Sequence, residues 1–201
     1  MTGMKQKGCC VDVKLGEVLQ AIQGSVIGET PTELSIQEIS TDTRSLEKAD
    51  LFFTLVGKQF DGHDFVKEAI AKGVRYFVVS DLNKISAEFK KSANFIVVDD
   101  TLKAYGDLAK FYRQKFKIPA VAITGSSGKT TVKELTAHLL FQRFQVLKNR
   151  GTENNAIGVP KTIFQLNQTH EVMVLEMGSS CPGEIDRLSS IIAPQIGVVT
   201  Q

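Results

Sequence analysis

Val121-Ala122-Ile123-Thr124-Gly125-Ser126-Ser127-Gly128-Lys129-Thr130-Thr131 decides how this chain is read. An apolar run of strand character enters a Gly/Ser turn that delivers Lys-Thr-Thr to the start of a helix. Glycines let the backbone turn tightly, so that successive N–H groups and the helix N-terminus face an anion. Lys129 supplies a point charge for β- and γ-phosphates, and the Thr130 hydroxyl can ligate Mg²⁺. The general phosphate-loop pattern has a glycine where Ile123 stands, whereas the first glycine here is Gly125. A Gly-Ser-Ser-Gly turn can be a plain tight connection, but Lys-Thr-Thr in register points to phosphate.

On the C-terminal side of the turn the pattern predicts a helix over 131–141, a loop, a helix over 159–166, a strand over 172–175, another helix and a strand at 196–199. On the N-terminal side a helix over 102–116, with Ala104, Leu108 and Phe111 on one face, ends near Pro119 and marks a domain boundary. Before it come a helix over 15–22 stopping at Gly24, strands over 36–40 and 51–56, a helix over 65–72 closed by Gly73, and strands over 76–79 and 95–98. The fold class is therefore α/β, with strands and helices alternating as in a parallel sheet with right-handed crossovers. The domains expected are 12–100, a connecting helix 101–117, and 118–201.

The 201 residues suffice for one large domain or two small ones, and 42% hydrophobic with 23% charged residues is ordinary globular composition. A net charge of +2 gives no sign of a general nucleic-acid or membrane-surface binder. The polar start lacks a signal-peptide core and no apolar run reaches a membrane span, so the expectation is a cytoplasmic protein without membrane insertion. Cys9, Cys10 and Cys181 have no metal-type spacing and read as free thiols. The sequence ends at Gln201, directly after a strand whose following loop should face the ligand, so a truncated domain is expected.

Glu176 follows the strand over 172–175, which puts a carboxylate at a strand tip where it can hold Mg²⁺ directly or through water. A solvated acid opening a loop is the alternative. Asn154-Asn155-Ala156-Ile157-Gly158-Val159-Pro160 places paired amides ahead of a helix, where capping is the simple role. Of the histidines, His63 suits structural hydrogen bonding as well as ligand contact, and His138 and His170 read as structural or exposed.

These residues resemble the Mur ligases, ATP-dependent amide-forming enzymes of peptidoglycan assembly. The resemblance runs from about Leu15 to the end. It rests on residues 124–131 with Lys133-Glu134, on Asn154-Asn155-x-Ile157-Gly158-x-Pro160, on Leu175-Glu176-Met177-Gly178 with Gly183-Glu184-Ile185, and on Asp42-Thr43-Arg44, Asp50-Leu51-Phe52-Phe53 and Gly57-Lys58-Gln59-Phe60-Asp61-Gly62-His63. The methionine-glycine and Gly-Glu-Ile pieces point to the branch that adds D-alanyl-D-alanine to UDP-N-acetylmuramoyl-tripeptide.

The resemblance implies a small α/β substrate-binding domain followed by the first part of a P-loop parallel-sheet ATPase domain. It implies that Gly125, Ser126, Ser127, Gly128, Lys129, Thr130 and Thr131 bind ATP, that Lys129 and Glu176 are catalytic, and that Thr130 and Glu176 hold Mg²⁺. It further implies that Thr43, Arg44, Lys58, Gln59 and Phe60 help hold the UDP-muramoyl end, and that Asn155 lies near phosphates or substrate. Arg44 and Lys58 suit a diphosphate, although Arg44 after an Asp-Thr turn can equally form a local ion pair. The chain departs from the family's usual residues at Thr152 and Ala156. The family's central domain continues beyond position 201, and its enzymes read as monomers, so this chain alone is expected to lack activity. Another Mur-type or folylpolyglutamate-type ligase, or a non-catalytic P-loop protein, stays open at this level.

Overall fold

The computed structural model describes residues 9–46, 49–57 and 60–201. The chain divides into two compact units between Leu108 and Ala109. The first carries a six-stranded mixed sheet and the second a four-stranded one.

In the first unit, strands β1 (Cys9–Lys14), β2 (Ser25–Ile27), β3 (Ser35–Ser40), β4 (Leu51–Phe53), β5 (Tyr76–Val79) and β6 (Asn94–Val97) lie in the order β1-β3-β4-β5-β6-β2. The inner four are parallel, and β1 and β2 close the two edges antiparallel. Helix α1 (Leu15–Ile22) links these edges and buries Leu15, Val18 and Ile22, as its 3–4 spacing requires. Strands β4 and β5 are apolar throughout and buried throughout. Phe52, Phe77 and Phe95 form a ring series through the core, with Phe77 and Phe95 stacked at 5.5 Å between centroids. Helices α2 (Val66–Ala71) and α3 (Ala87–Ser92) complete the unit.

Helix α4 (Thr101–Gln114) crosses the division. Its start bonds into the first unit through the Thr101 hydroxyl, which donates to Thr54 O at 3.0 Å. In the second unit the Tyr112 hydroxyl donates to Leu166 O at 2.8 Å, and the buried Arg113 guanidinium donates to the carbonyls of Phe116, Ile118 and Ile192.

The second sheet is parallel throughout, as expected. Strands β7 (Ala120–Gly125), β8 (Val146–Lys148), β9 (Val172–Glu176) and β10 (Ile196–Thr200) take the order β10-β7-β9-β8. Helix α5 (Lys129–Leu140) seals one face over Ile123, Val146, Val172 and Val174. Helices α6 (Gly158–Ile163) and α7 (Glu184–Ile192) pack against each other, and α7 lies against β7.

Several expectations need correction. The polar start contains β1, whose Val11 and Val13 point inward while Asp12 and Lys14 point out. Strand β4 stops at Phe53 instead of running to Val56, because Val56 turns back to bridge Asp61 and Gly57 N–H donates to Phe60 O. The segments containing β2, α3 and β8 read as connections, and each is an element of three to six residues, too short to show a period.

Candidate functional site

Strands β7 and β9 are neighbours in register, with Ile123 opposite Glu176, so their carboxyl ends open on one place. From there β7 enters the turn and α5 begins, with Gly128 at the helix N-cap in the left-handed region at φ 75°. Lys129 folds back over the turn, its Nζ donating to Gly125 O at 2.7 Å. The ammonium thus rests against the carbonyl side of the turn.

One expectation about the turn, that its successive N–H groups all face an anion, is corrected. Ser126 N–H does not face the cradle; it donates to Thr200 O at 3.1 Å, and the Thr200 hydroxyl donates to Ser127 O at 2.5 Å. Strand β10 therefore grips the outside of the turn. Gly125, at φ 140°, is what allows this grip, because a Cβ there would lie 1.9 Å from Thr200 O.

Glu176, at the tip of β9, is 2% exposed, which removes the reading of a solvated acid. Its Oε2 accepts from the Thr130 hydroxyl at 2.8 Å and its Oε1 from Asn154 Nδ2 at 2.8 Å. Beneath it, buried Asn149 donates to Glu176 O and Glu153 O and accepts from Glu176 N–H, reproducing with one side chain the pairing of a further strand. The Lys133 Nζ donates to Asn149 O at 3.0 Å and lies 3.9 Å from Glu176 Oε2.

Among the described residues, no group of three or more His, Cys, Asp or Glu side chains forms a metal site. The donor set still fits Mg²⁺. Cis ligands of an octahedral ion with bonds near 2.1 Å stand about 3 Å apart, and the Thr130 and Glu176 oxygens are 2.8 Å apart. Mg²⁺ also keeps several waters and phosphate oxygens, so two protein ligands are enough.

Asn155 is turned elsewhere: its Oδ1 accepts from Ile157 N–H and Gly158 N–H, the cap the sequence suggested as the simple role. The amide that reaches the carboxylate belongs to Asn154. Sequence reasoning also passed over the contacts of Lys133, Asn149 and Thr200. Lys133 carried a signal, since it stands four residues before Ala137 on the buried stripe of α5, where a lysine is out of place.

The remaining predicted residues lie in the first unit. Thr43 is buried and its hydroxyl donates to Glu68 Oε2 at 2.9 Å. The Arg44 side chain is 87% exposed and forms a bidentate pair with Asp42, Nε to Oδ1 at 2.9 Å and Nη2 to Oδ2 at 2.7 Å. Phe60 is 71% exposed. Lys58 and Gln59 lie outside the described residues.

His63 is buried and structural in its contacts. Its Nδ1 pairs with Asp61 Oδ1 at 2.5 Å, and Nε2 accepts from the N–H groups of Ser80 and Asp81. Burial works to raise the Asp61 carboxyl, but hydrogen bonds from Lys84 and from the His63 backbone and ring outweigh it and hold the group far below the usual carboxylate range. His170 accepts from Asn167 N–H, and burial lowers it from the ordinary histidine value; His138 is exposed. Cys181 is a free, exposed thiol.

Comparison with known proteins decides the family. The model described as "Mur ligase family, catalytic domain" matches residues 35–113, and that of the "Mur ligase middle domain" matches residues 123–201. The chain belongs to the Mur ligase family. Within that family, it is 42% identical over 172 residues to the UDP-N-acetylmuramoyl-tripeptide--D-alanyl-D-alanine ligase of Synechocystis, covering 84% of this chain and 36% of that one. A crystal structure of MurF from Acinetobacter baumannii superposes with a TM-score of 0.86 at 34% identity, covering 94% of this chain and 41% of that one. The MurF ligase of Thermotoga maritima in complex with ADP gives 0.70 at 32% identity over 80% of this chain and 36% of that one. This Mur ligase chain thus spans about two fifths of the length of the relatives it matches. No helix among its described residues is long and apolar enough to cross a membrane.

Proposed function

We propose that the chain is the UDP-muramoyl-binding domain (12–100), connecting helix (101–117) and first part of the ATP-binding domain (from 118) of a ligase that joins D-alanyl-D-alanine to UDP-N-acetylmuramoyl-tripeptide. One observation carries the chemistry: the turn between β7 and α5 folds Lys129 back over its own backbone and sets the Thr130 hydroxyl against the buried Glu176 carboxylate at the end of the adjacent parallel strand. The names of the relatives supply the substrates.

In this reading the γ-phosphoryl group of ATP passes to the tripeptide carboxylate, releasing ADP. The amine of D-alanyl-D-alanine then attacks the acyl carbon, an amide bond forms, and phosphate leaves. Mg²⁺, when bound, shields the phosphate charge. Phosphoryl transfer asks a protein for positioning and electrostatics, which suits a site without a Ser-His-Asp or Cys-His set. Lys129 leaves the Gly125 carbonyl to meet β- and γ-oxygens, the free N–H groups at the start of α5 take phosphate oxygens, and Thr130 and Glu176 present the metal with two oxygens. Thr43 holds the turn that presents Arg44, and Arg44, Lys58, Gln59 and Phe60 help hold the UDP-muramoyl end. ATP and a nucleotide-linked substrate fit a cytoplasmic enzyme.

Calorimetry with UDP-N-acetylmuramoyl-tripeptide, UDP-muramoyl dipeptide and Mg²⁺-ATP tests this. Binding that prefers the tripeptide and weakens in R44A is expected, with no ligation by the purified chain. Equal affinity for both muramoyl substrates, or ligation by this chain alone, would overturn the respective parts.

A further inference from the structure

The proposed chemistry does not use the placement of Lys133. Its side chain is fully buried, although lysine ordinarily carries its ammonium to water. Three acceptors surround Nζ: Asn149 O at 3.0 Å, Glu134 Oε1 at 3.1 Å and Glu176 Oε2 at 3.9 Å. They come from the segment after β8, from α5 itself and from β9; the first two are within hydrogen-bond range and the third faces the ammonium by charge alone. Glu134 is also paired to Lys148, so its charge is already balanced. The uncompensated partner of Lys133 is therefore Glu176.

We propose that Lys133 is a positioning residue: it holds the Glu176 carboxylate in place by charge and thereby sets how strongly a divalent cation improves nucleotide binding. The separation is informative. At 3.9 Å the ammonium is outside hydrogen-bond range, so it attracts Oε2 without occupying the lone pairs turned toward Thr130. Asn154 pins the other oxygen, Asn149 pins the backbone of residue 176, and Lys133 ties Asn149 to the carboxylate from below. Removing the ammonium would leave a carboxylate 2% exposed without its cation.

The inference rests on the reading of the site as one for Mg²⁺-nucleotide, and the test separates the two. ADP is titrated into the chain by calorimetry with and without Mg²⁺, for the parent, K133M, E176Q and the double variant. In the parent Mg²⁺ tightens ADP. In K133M that gain falls by roughly 10–100-fold, the scale on which residues supporting a metal ligand act, while metal-free ADP affinity changes little. The double variant loses no more of the gain than E176Q. A K133M chain that keeps the parent's gain, that weakens ADP equally with and without metal, or that adds its loss to that of E176Q refutes the proposal. Should K133M not fold, K133Q, which keeps a donor for Asn149 O, is judged by the same criteria. A parent without any Mg²⁺ gain overturns the site reading, and this proposal with it.

Discussion

Gly125→Ala separates two reasons for a glycine in a phosphate loop. A Cβ at position 125 would lie 1.9 Å from Thr200 O and 2.6 Å from Thr200 N, so β10 must retreat by about 1 Å to reach even the closest approach real Cβ atoms tolerate. That retreat breaks two hydrogen bonds, Ser126 N–H to Thr200 O and the Thr200 hydroxyl to Ser127 O, each worth about 1 kcal/mol. Holding alanine at φ 140° costs roughly 1–3 kcal/mol more. The expected loss is about 4 kcal/mol in the second unit. Gly128→Ala is the control: φ is 75° but nothing lies within 4 Å of its Cβ position, so only the backbone term of about 1–2 kcal/mol applies. Since the chain has no tryptophan, urea unfolding is followed by far-UV circular dichroism, where G125A lowers the midpoint by roughly 2 M and G128A by well under half of that. Equal losses in the two variants would refute the argument that the grip of β10 demands the glycine.

Asn149→Ala strips three hydrogen bonds, two of them buried, and leaves Glu176 N–H unpaired, so a loss of about 3 kcal/mol is expected by the same unfolding assay. Asp61→Asn tests the knot around His63. A carboxyl held below its unfolded value contributes stability that is present above about pH 4 and disappears as pH falls through the folded value, so the parent weakens below pH 4. The variant should be about 2 kcal/mol less stable at pH 7 and lose part of that acid limb, as acid titration of the unfolding midpoint would reveal. Tyr112→Phe removes the buried hydroxyl bond to Leu166 O and should cost about 1 kcal/mol by thermal unfolding.

What the sequence disclosed is what local chemistry controls. The turn at 125–128, the helix after it and the apolar strands β5, β7 and β9 follow from residue order within a dozen positions, and all stand where expected. Val11 and Val13 carried the alternation of a strand as well, but a polar, cysteine-bearing context hid it. Lys133, Asn149 and Thr200 act on partners 16, 27 and 73 positions away, distances over which one sequence carries no periodic signal. Asn154 and Asn155 show the finest limit. Composition gives a pair of amides, and only the backbone direction ahead of α6 decides that Asn155 caps while Asn154 meets the carboxylate.

The edge pairing of the first sheet has a consequence for synthesis. Strands β1 and β2 stand at opposite margins although only α1 and two residues separate them, and β2 pairs with β6, which begins 67 positions after β2 ends. Chains grow at about 5–20 residues per second, so β2 waits on the order of 3–13 s for its partner to be made. During that interval Val26 and Ile27 have no ladder to join, and α1 can hold only one margin of the nascent sheet. Strand β2 is thus made well before β6 and is fastened only after it.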